Sequence, residues 1–128
     1  MEEQLQEKAV LVGLNITTNV KKIDDIDINE SMAELKELVK AAGAEVLASV
    51  IQNKPARDAA YFIGKGKVEE IRDYCHMLGA TMIVFNDELS GAHMRNIEDV
   101  TGLKVIDRTA LILDIFAQRA LSKEGKLQ

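Results

Sequence analysis

The apolar positions along this chain change their period several times. Ala9-Val10-Leu11-Val12-Gly13-Leu14 is a continuous apolar run, as expected of a strand buried on both faces. The stretch from Asn15 to Glu30 is polar, with several Asp and Asn, and predicts a long loop. Ser31 then begins a helix. Ser31 and Glu34 stand at capping-box spacing, Leu35, Leu38, Val39 and Ala42 follow at helical spacing, and Gly43 suits the C-terminal cap. Glu45 to Ile51 reads as a second strand, and Gln52 to Ile63 as a loop marked by the only proline, Pro55. A second helix is expected from Lys67 to Leu78, with Val68, Ile71, Cys75 and Leu78 inward and Gly79 at its end. Met82-Ile83-Val84-Phe85 is a wholly apolar third strand. Ser90 caps a third helix with Met94, Ile97 and Val100 inward and Gly102 at its end. Leu103 to Ile106 is a short fourth strand, and Asp107 caps a fourth helix running from Arg108 to Ala120.

Strands and helices therefore alternate four times. That order predicts an α/β fold: a four-stranded, mainly parallel sheet joined by right-handed crossovers, with helices on both faces. The first and third strands are the most uniformly apolar and belong in the centre. The second contains Ser49 and the fourth Lys104, so both suit edges. The expected strand order is 2-1-3-4. Its switch point lies between strands one and three, where Asn15, Asn86 and Asp87 sit at the carboxyl ends. The fourth helix is apolar all round, through Ala110, Leu111, Ile112, Leu113, Ile115, Phe116 and Ala117. A sheet covers one side of such a helix, and the other side needs a partner. We expect this chain to be a fragment of a longer protein, with a second surface around Leu113 and Phe116.

Length and composition agree with a globular domain. The 128 residues are 47% hydrophobic and 29% charged, and fit one domain, residues 1–128. Aromatic residues are only 4%, so the core is aliphatic. The single cysteine, Cys75, cannot form an internal disulfide, and no Cys/His spacing suggests zinc. No signal peptide or membrane span is evident, and with a single cysteine a reducing, cytoplasmic setting is expected. The net charge of −5 is concentrated at the front, where seven acids oppose three lysines within residues 1–30. The remainder is nearly balanced. This argues against broad nucleic-acid binding but leaves room for a local basic face.

Candidate chemistry centres on Tyr61-Phe62-Ile63-Gly64-Lys65-Gly66-Lys67. Two glycines open a helix and two lysines flank the second glycine, an arrangement that suits a phosphate. It is not a Walker A loop, because the glycines are one residue apart and Val68 follows Lys67. Glu69 replaces the third glycine of a dinucleotide fingerprint. A tight loop with solvated lysines is the commoner meaning of such a run. Lys54 and Arg57 add charge upstream, and Tyr61 offers stacking surface for RNA, whereas Phe62 reads as core. Asp87 and Glu88 are best explained as favouring the next helix start, Arg108 as exposed or paired, and His76 and His93 as isolated. No nucleophile–base set and no metal-ligand set emerges.

The run from Tyr61 to Glu70 resembles the YIGKGKVEE signature of the HflX GTPase family's N-terminal domain. Val105 to Ala120 resembles that family's VIDRTGLILDIFAQRA, Phe85 to Ser90 its F-D-D-E-L-S, and Glu124 to Gln128 the EGKLQ that begins its long helical hairpin. Asn86 stands in place of the usual Asp, Gly91 in place of a common proline, and Ala110 in place of a glycine. The resemblance implies an N-terminal α/β domain whose residues 121–128 start a truncated hairpin, with the GTPase domain, its GTP and its Mg beyond Gln128. It implies no catalysis by this fragment. It also implies a stress-responsive protein that binds the large ribosomal subunit and helps split or rescue stalled ribosomes. The expected partners are ribosomal RNA and the protein's own GTPase domain, with self-association of the fragment also open. ATP binding through the Gly64–Lys67 loop is the alternative. The residues expected to carry these roles are Lys54, Arg57, Tyr61, Gly64, Lys65, Gly66 and Lys67 for RNA or phosphate, and Leu113, Phe116 and Arg119 for the inter-domain or partner surface.

Overall fold

A computed structural model describes residues 6–18 and 27–115. The elements follow in the order β1 (Lys8–Ile16), α1 (Ile28–Ala41), β2 (Glu45–Lys54), α2 (Lys65–Leu78), β3 (Met82–Phe85), α3 (Gly91–Thr101) and β4 (Lys104–Asp107). Residues 108–115 are helical and are called α4 below. The strands form one parallel sheet in the order β2-β1-β3-β4, as the apolar pattern predicts.

The distribution of helices follows from that order. The chain steps from β1 outward to β2, then back across β1 to β3 and on to β4. Crossovers of one hand must then put the first helix on one face and the next two on the other. Alternate residues of β1 record this. Val10, Val12 and Leu14 pack with Val68, Ile71 and Cys75 of α2 and Ile97 of α3. Ala9 and Leu11 pack with Met32, Leu35 and Val39 of α1 and with Leu111 and Ile115 of α4. Gly13 lies under α1, where a Cβ would stand 2.6 Å from Met32 Sδ. The glycine inside the first apolar run therefore permits close helix–sheet approach.

Several boundaries differ from expectation, and for local reasons. Helix α1 starts at Ile28 rather than Ser31, because Asp27 caps it by accepting the Asn29 N–H. The expected Ser31–Glu34 capping box is not formed. Polar residues at strand ends also pair as strand: Asn15 Nδ2 donates to Asn53 Oδ1 at 2.9 Å, so β1 and β2 extend to Ile16 and Lys54. Helix α2 begins two residues early, at Lys65. Strand β4 is shifted by one residue, to Lys104–Asp107. Leu78, expected inward, is 36% exposed. Strand β3 and the stops at Gly79 and Gly102 fall where the sequence placed them, both glycines being left-handed.

Candidate functional site

In a parallel sheet of this kind every helix on the return path starts near the carboxyl ends of the strands. That edge gathers the starts of α1, α2 and α3 and the turn from β4 into α4. Most of its polar groups are consumed by structure. Ser90 Oγ accepts the His93 N–H at 3.1 Å, while His93 Nδ1 accepts the Ser90 N–H at 3.2 Å, a reciprocal cap on α3. Asp107 is buried and divides its carboxylate between the Leu89 N–H at 2.8 Å and the Ala110 N–H at 2.9 Å, which caps α4. Arg108 ties three elements together. Its Nη1 donates to Asn86 Oδ1 at 2.7 Å and approaches Ser31 Oγ at 3.4 Å, and its Nη2 meets Glu34 Oε1 at 2.7 Å. Asn86 in turn donates to Ser31 Oγ at 2.9 Å. Ser31 and Glu34 thus serve a cross-element network instead of the helix cap.

Helix α2 starts differently. Its cap is Gly64, in extended geometry and with no side-chain cap bond. The Gly64 N–H itself donates to Gln52 Oε1 at 3.0 Å, which ties the loop to the end of β2. Lys65 and Gly66 are exposed in the first turn. Lys67 is more committed: its ammonium sits 2.9 Å from Glu70, one turn on. The two lysines that sequence treats as a pair are therefore unequal.

The loop before α2 is built around Asp58. Its carboxylate accepts the Tyr61 N–H at 2.8 Å and the Ala60 N–H at 2.9 Å, and its backbone pairs both ways with Phe62. Those two backbone donors, the Tyr61 N–H first, with Lys54 adding positive charge, hold the Asp58 carboxyl below its usual range. Phe62 takes φ +66°, and the Ile63 N–H bonds the Tyr61 carbonyl across it at 2.6 Å, a tight γ-turn. This unusual conformation drives the ring inward, where it is 2% exposed and meets Phe85 and His93 edge-on. Phe62 is core, as expected. Arg57 remains exposed, with its guanidinium 5.6 Å from the Phe62 ring centroid. Tyr61 is half-buried against the core. Lys54, at the end of β2, is also half-buried.

Sequence reasoning missed two groups here. Asp87 does not favour the α3 start. It turns inward at the switch point, where burial raises its pKa against the opposing effects of the Leu14 N–H, Arg57 and Arg108. Its Oδ2 is buried without a hydrogen-bond partner among the described residues. His93 is not isolated, because it both caps α3 and packs on Phe62. Only the Ser90–His93 spacing could have hinted at this. Cys75 is an inert core residue, and burial pushes its thiol up to about 11. Among the described residues no cluster of His, Cys, Asp or Glu could hold a metal, and no helix is long and apolar enough to cross a membrane. On α4, Leu111 is buried and Leu113 is 63% exposed. Phe116, Arg119 and residues 121–128 lie outside the described residues.

The GTP-binding GTPase N-terminal family model matches residues 29–117. The chain belongs to this family. It is 45% identical over 96% of its length to the GTPase HflX of Caldanaerobacter subterraneus, and 43% identical over 95% to the GTPase HflX of Escherichia coli. It spans 27% of the length of each. It is thus an HflX-type N-terminal domain, and the catalytic domain of those GTPases is not in it. A GTP-binding protein from Sulfolobus solfataricus, solved in complex with GDP, superimposes with a TM-score of 0.61 at 21% identity, covering 88% of this chain and 30% of that one. That likeness concerns the fold.

Proposed function

We propose that these residues form the ribosome-binding and regulatory domain of a cytoplasmic HflX-type GTPase that acts on the large subunit to split or rescue stalled ribosomes. In the parent protein, GTP and Mg belong to the separate GTPase domain, and this domain performs no hydrolysis. The observation that supports the RNA contact is the open start of α2. Its first-turn amides have no side-chain cap, exposed Lys65 stands beside them, and exposed Arg57 sits on the preceding loop. Amides, helix dipole and cations together favour a phosphate of the RNA backbone. In this reading Lys54, Tyr61 and Lys67 belong to the same contact. The exposed Leu113 on α4 supports a contact with the GTPase domain; Phe116 and Arg119, assigned to the same contact from the sequence, lie outside the described residues.

The test is sedimentation with large ribosomal subunits at several salt concentrations, using this chain and the full-length protein. Lys65→Glu should weaken binding on the order of tenfold and flatten the salt dependence by roughly 0.7–0.9 in log–log slope per lost phosphate contact. Lys67→Glu should do less, because Glu70 already neutralises Lys67. Both folds should survive, since surface substitutions change stability by only about 0.5 kcal/mol. Unchanged affinity and slope for Lys65→Glu would remove the loop from the RNA interface. ATP is the other phosphate source for the same amides. Saturable ATP-induced NMR shifts at Gly64 to Lys67, with ribosome binding unaffected by Lys65→Glu, would favour a nucleotide site instead.

A further inference from the structure

The two edges of the sheet are built in opposite ways. Strand β4 is four residues long, and its exposed Lys104 reaches Glu7 at 3.6 Å. A short, charged edge discourages strand addition. Strand β2 is ten residues long, has no proline, and carries no charge between Glu45 and Lys54. Among the described residues no strand pairs its outer side. Beside it, α2 leaves Tyr74 37% and Met77 71% exposed. Val50, Ile71, Tyr74 and Met77 line a mainly apolar groove of about 420 Å³ between strand and helix.

The register of β2 supplies the decisive detail. Val46 pairs with Ala9 but Ala48 pairs with Val10, so Leu47 is an extra residue, a bulge. Val46 and Ile51 pack on the α1 face, whereas Leu47, Ala48 and Val50 pack on the α2 face. The bulge offsets the alternation by one. Glu45 and Lys54, which strict alternation would set on opposite faces, both fall on the α2 face. They mark the two ends of the edge with opposite charge.

We propose that β2 is a self-complementary edge, and that two copies of this chain pair antiparallel through it about a two-fold axis at Val50. In that register Glu45 faces Lys54 of the second copy at both ends of the ladder. Ser49 faces Ile51 of the second copy, and Val50 faces Val50 of the second copy. Opposed residues share a face, as an antiparallel pair requires. The axis also lies beside the groove, so Tyr74 and Met77 of each copy close the other's apolar surface. The two four-stranded sheets become one of eight strands, and the contact is isologous. This surface is separate from the exposed side of α4.

Sedimentation equilibrium of the intact 128-residue chain over a wide concentration range tests this, together with oxidation of V50C. The wild-type chain should show a monomer–dimer equilibrium. Val50→Lys should abolish the dimer. Glu45→Lys and Lys54→Glu should each weaken it several-fold, and the two together should restore it. V50C should cross-link under mild oxidation, because paired strands hold opposed Cα atoms within disulfide reach. Buried Cys75 would not compete. Leu113→Glu should leave the dimer intact. A strictly monomeric wild type overturns the proposal. So does a dimer that Leu113→Glu dissolves, or one in which V50C fails to cross-link and the charge swap fails to restore affinity. If a variant misfolds, V50C is the arm that keeps the test open, because it replaces one half-buried residue with a smaller one.

Discussion

The starts of α2 and α3 share the same edge of the sheet and end their backbone chains in different ways. At α3, Ser90 and His93 satisfy each other's amides, and the first turn carries no lysine. At α2, glycine replaces the capping side chain and lysines occupy the first turn. Cations at a helix N-terminus oppose the dipole and are locally unfavourable. The first start gains stability from its residues; the second gives up that gain and presents bare amides with positive charge. The contrast teaches where to look for an anion. A glycine-rich run is weak evidence by itself, but an uncapped start beside capped ones shows where local stability is withheld.

The start of α1 is closed more thoroughly still, by Asp27 and by the Arg108 network. Breaking that closure should have the largest effect on stability. Arg108→Met removes the donor from Asn86 Oδ1, a group 8% exposed, and cuts the Arg108 tie to Glu34 of α1, leaving only the Asn86–Ser31 bond of that network. Leaving a buried acceptor unpaired costs about 1–3 kcal/mol, and the exposed Glu34 contact adds little. Urea denaturation should show the midpoint falling with an unchanged slope. An unshifted midpoint would mean that the network positions α1 without stabilising it.

Ser90→Ala should come next, at about 1 kcal/mol, the usual cost of losing a capping oxygen. The same urea series measures it. His93 also packs on Phe62, so the variant should loosen the loop before α2 as well. Faster amide exchange at Tyr61 to Ile63 is the expected sign. Exchange confined to α3 would show that the two starts are independent.

The sheet was legible because its signal is repeated: each strand is an apolar run, and each helix has a stripe and a stop. Strand order followed from which runs were apolar on both faces. The start of α1 was misplaced because Ser31 and Glu34 fit a local motif, while their real partners, Asn86 and Arg108, are 55 and 74 residues away respectively. Asp87 and the bulge at Leu47 escaped for the same reason, since both depend on register with β1. The basic loop was visible as a cluster of types. The unequal standing of Lys65 and Lys67 was not, because a Lys–Glu spacing of three residues is common and only geometry shows whether it closes.

The smallest stability effect should come from turning the α2 start into a copy of the α3 start. Gly64 has φ −64° and ψ 143°, which any residue adopts. A Cβ there would meet only the Gln52 amide, at 3.4 Å, an ordinary contact with a flexible side chain. Gly64→Ser is therefore accommodated, and its hydroxyl can accept an amide of the first turn. Glycine is already a fair capping residue, so the gain should be only a few tenths of a kcal/mol. The consequence for an anion should be larger, because the serine oxygen competes for the amides a phosphate would use. Gly64→Ala serves as the control: it brings the same Cβ and the same loss of backbone freedom without the oxygen. If α2 is held open for RNA, Gly64→Ser should bind large subunits more weakly than Gly64→Ala while being the more stable of the two. Equal binding by the two variants would show that Lys65 acts through its charge alone and that the bare amides contribute nothing.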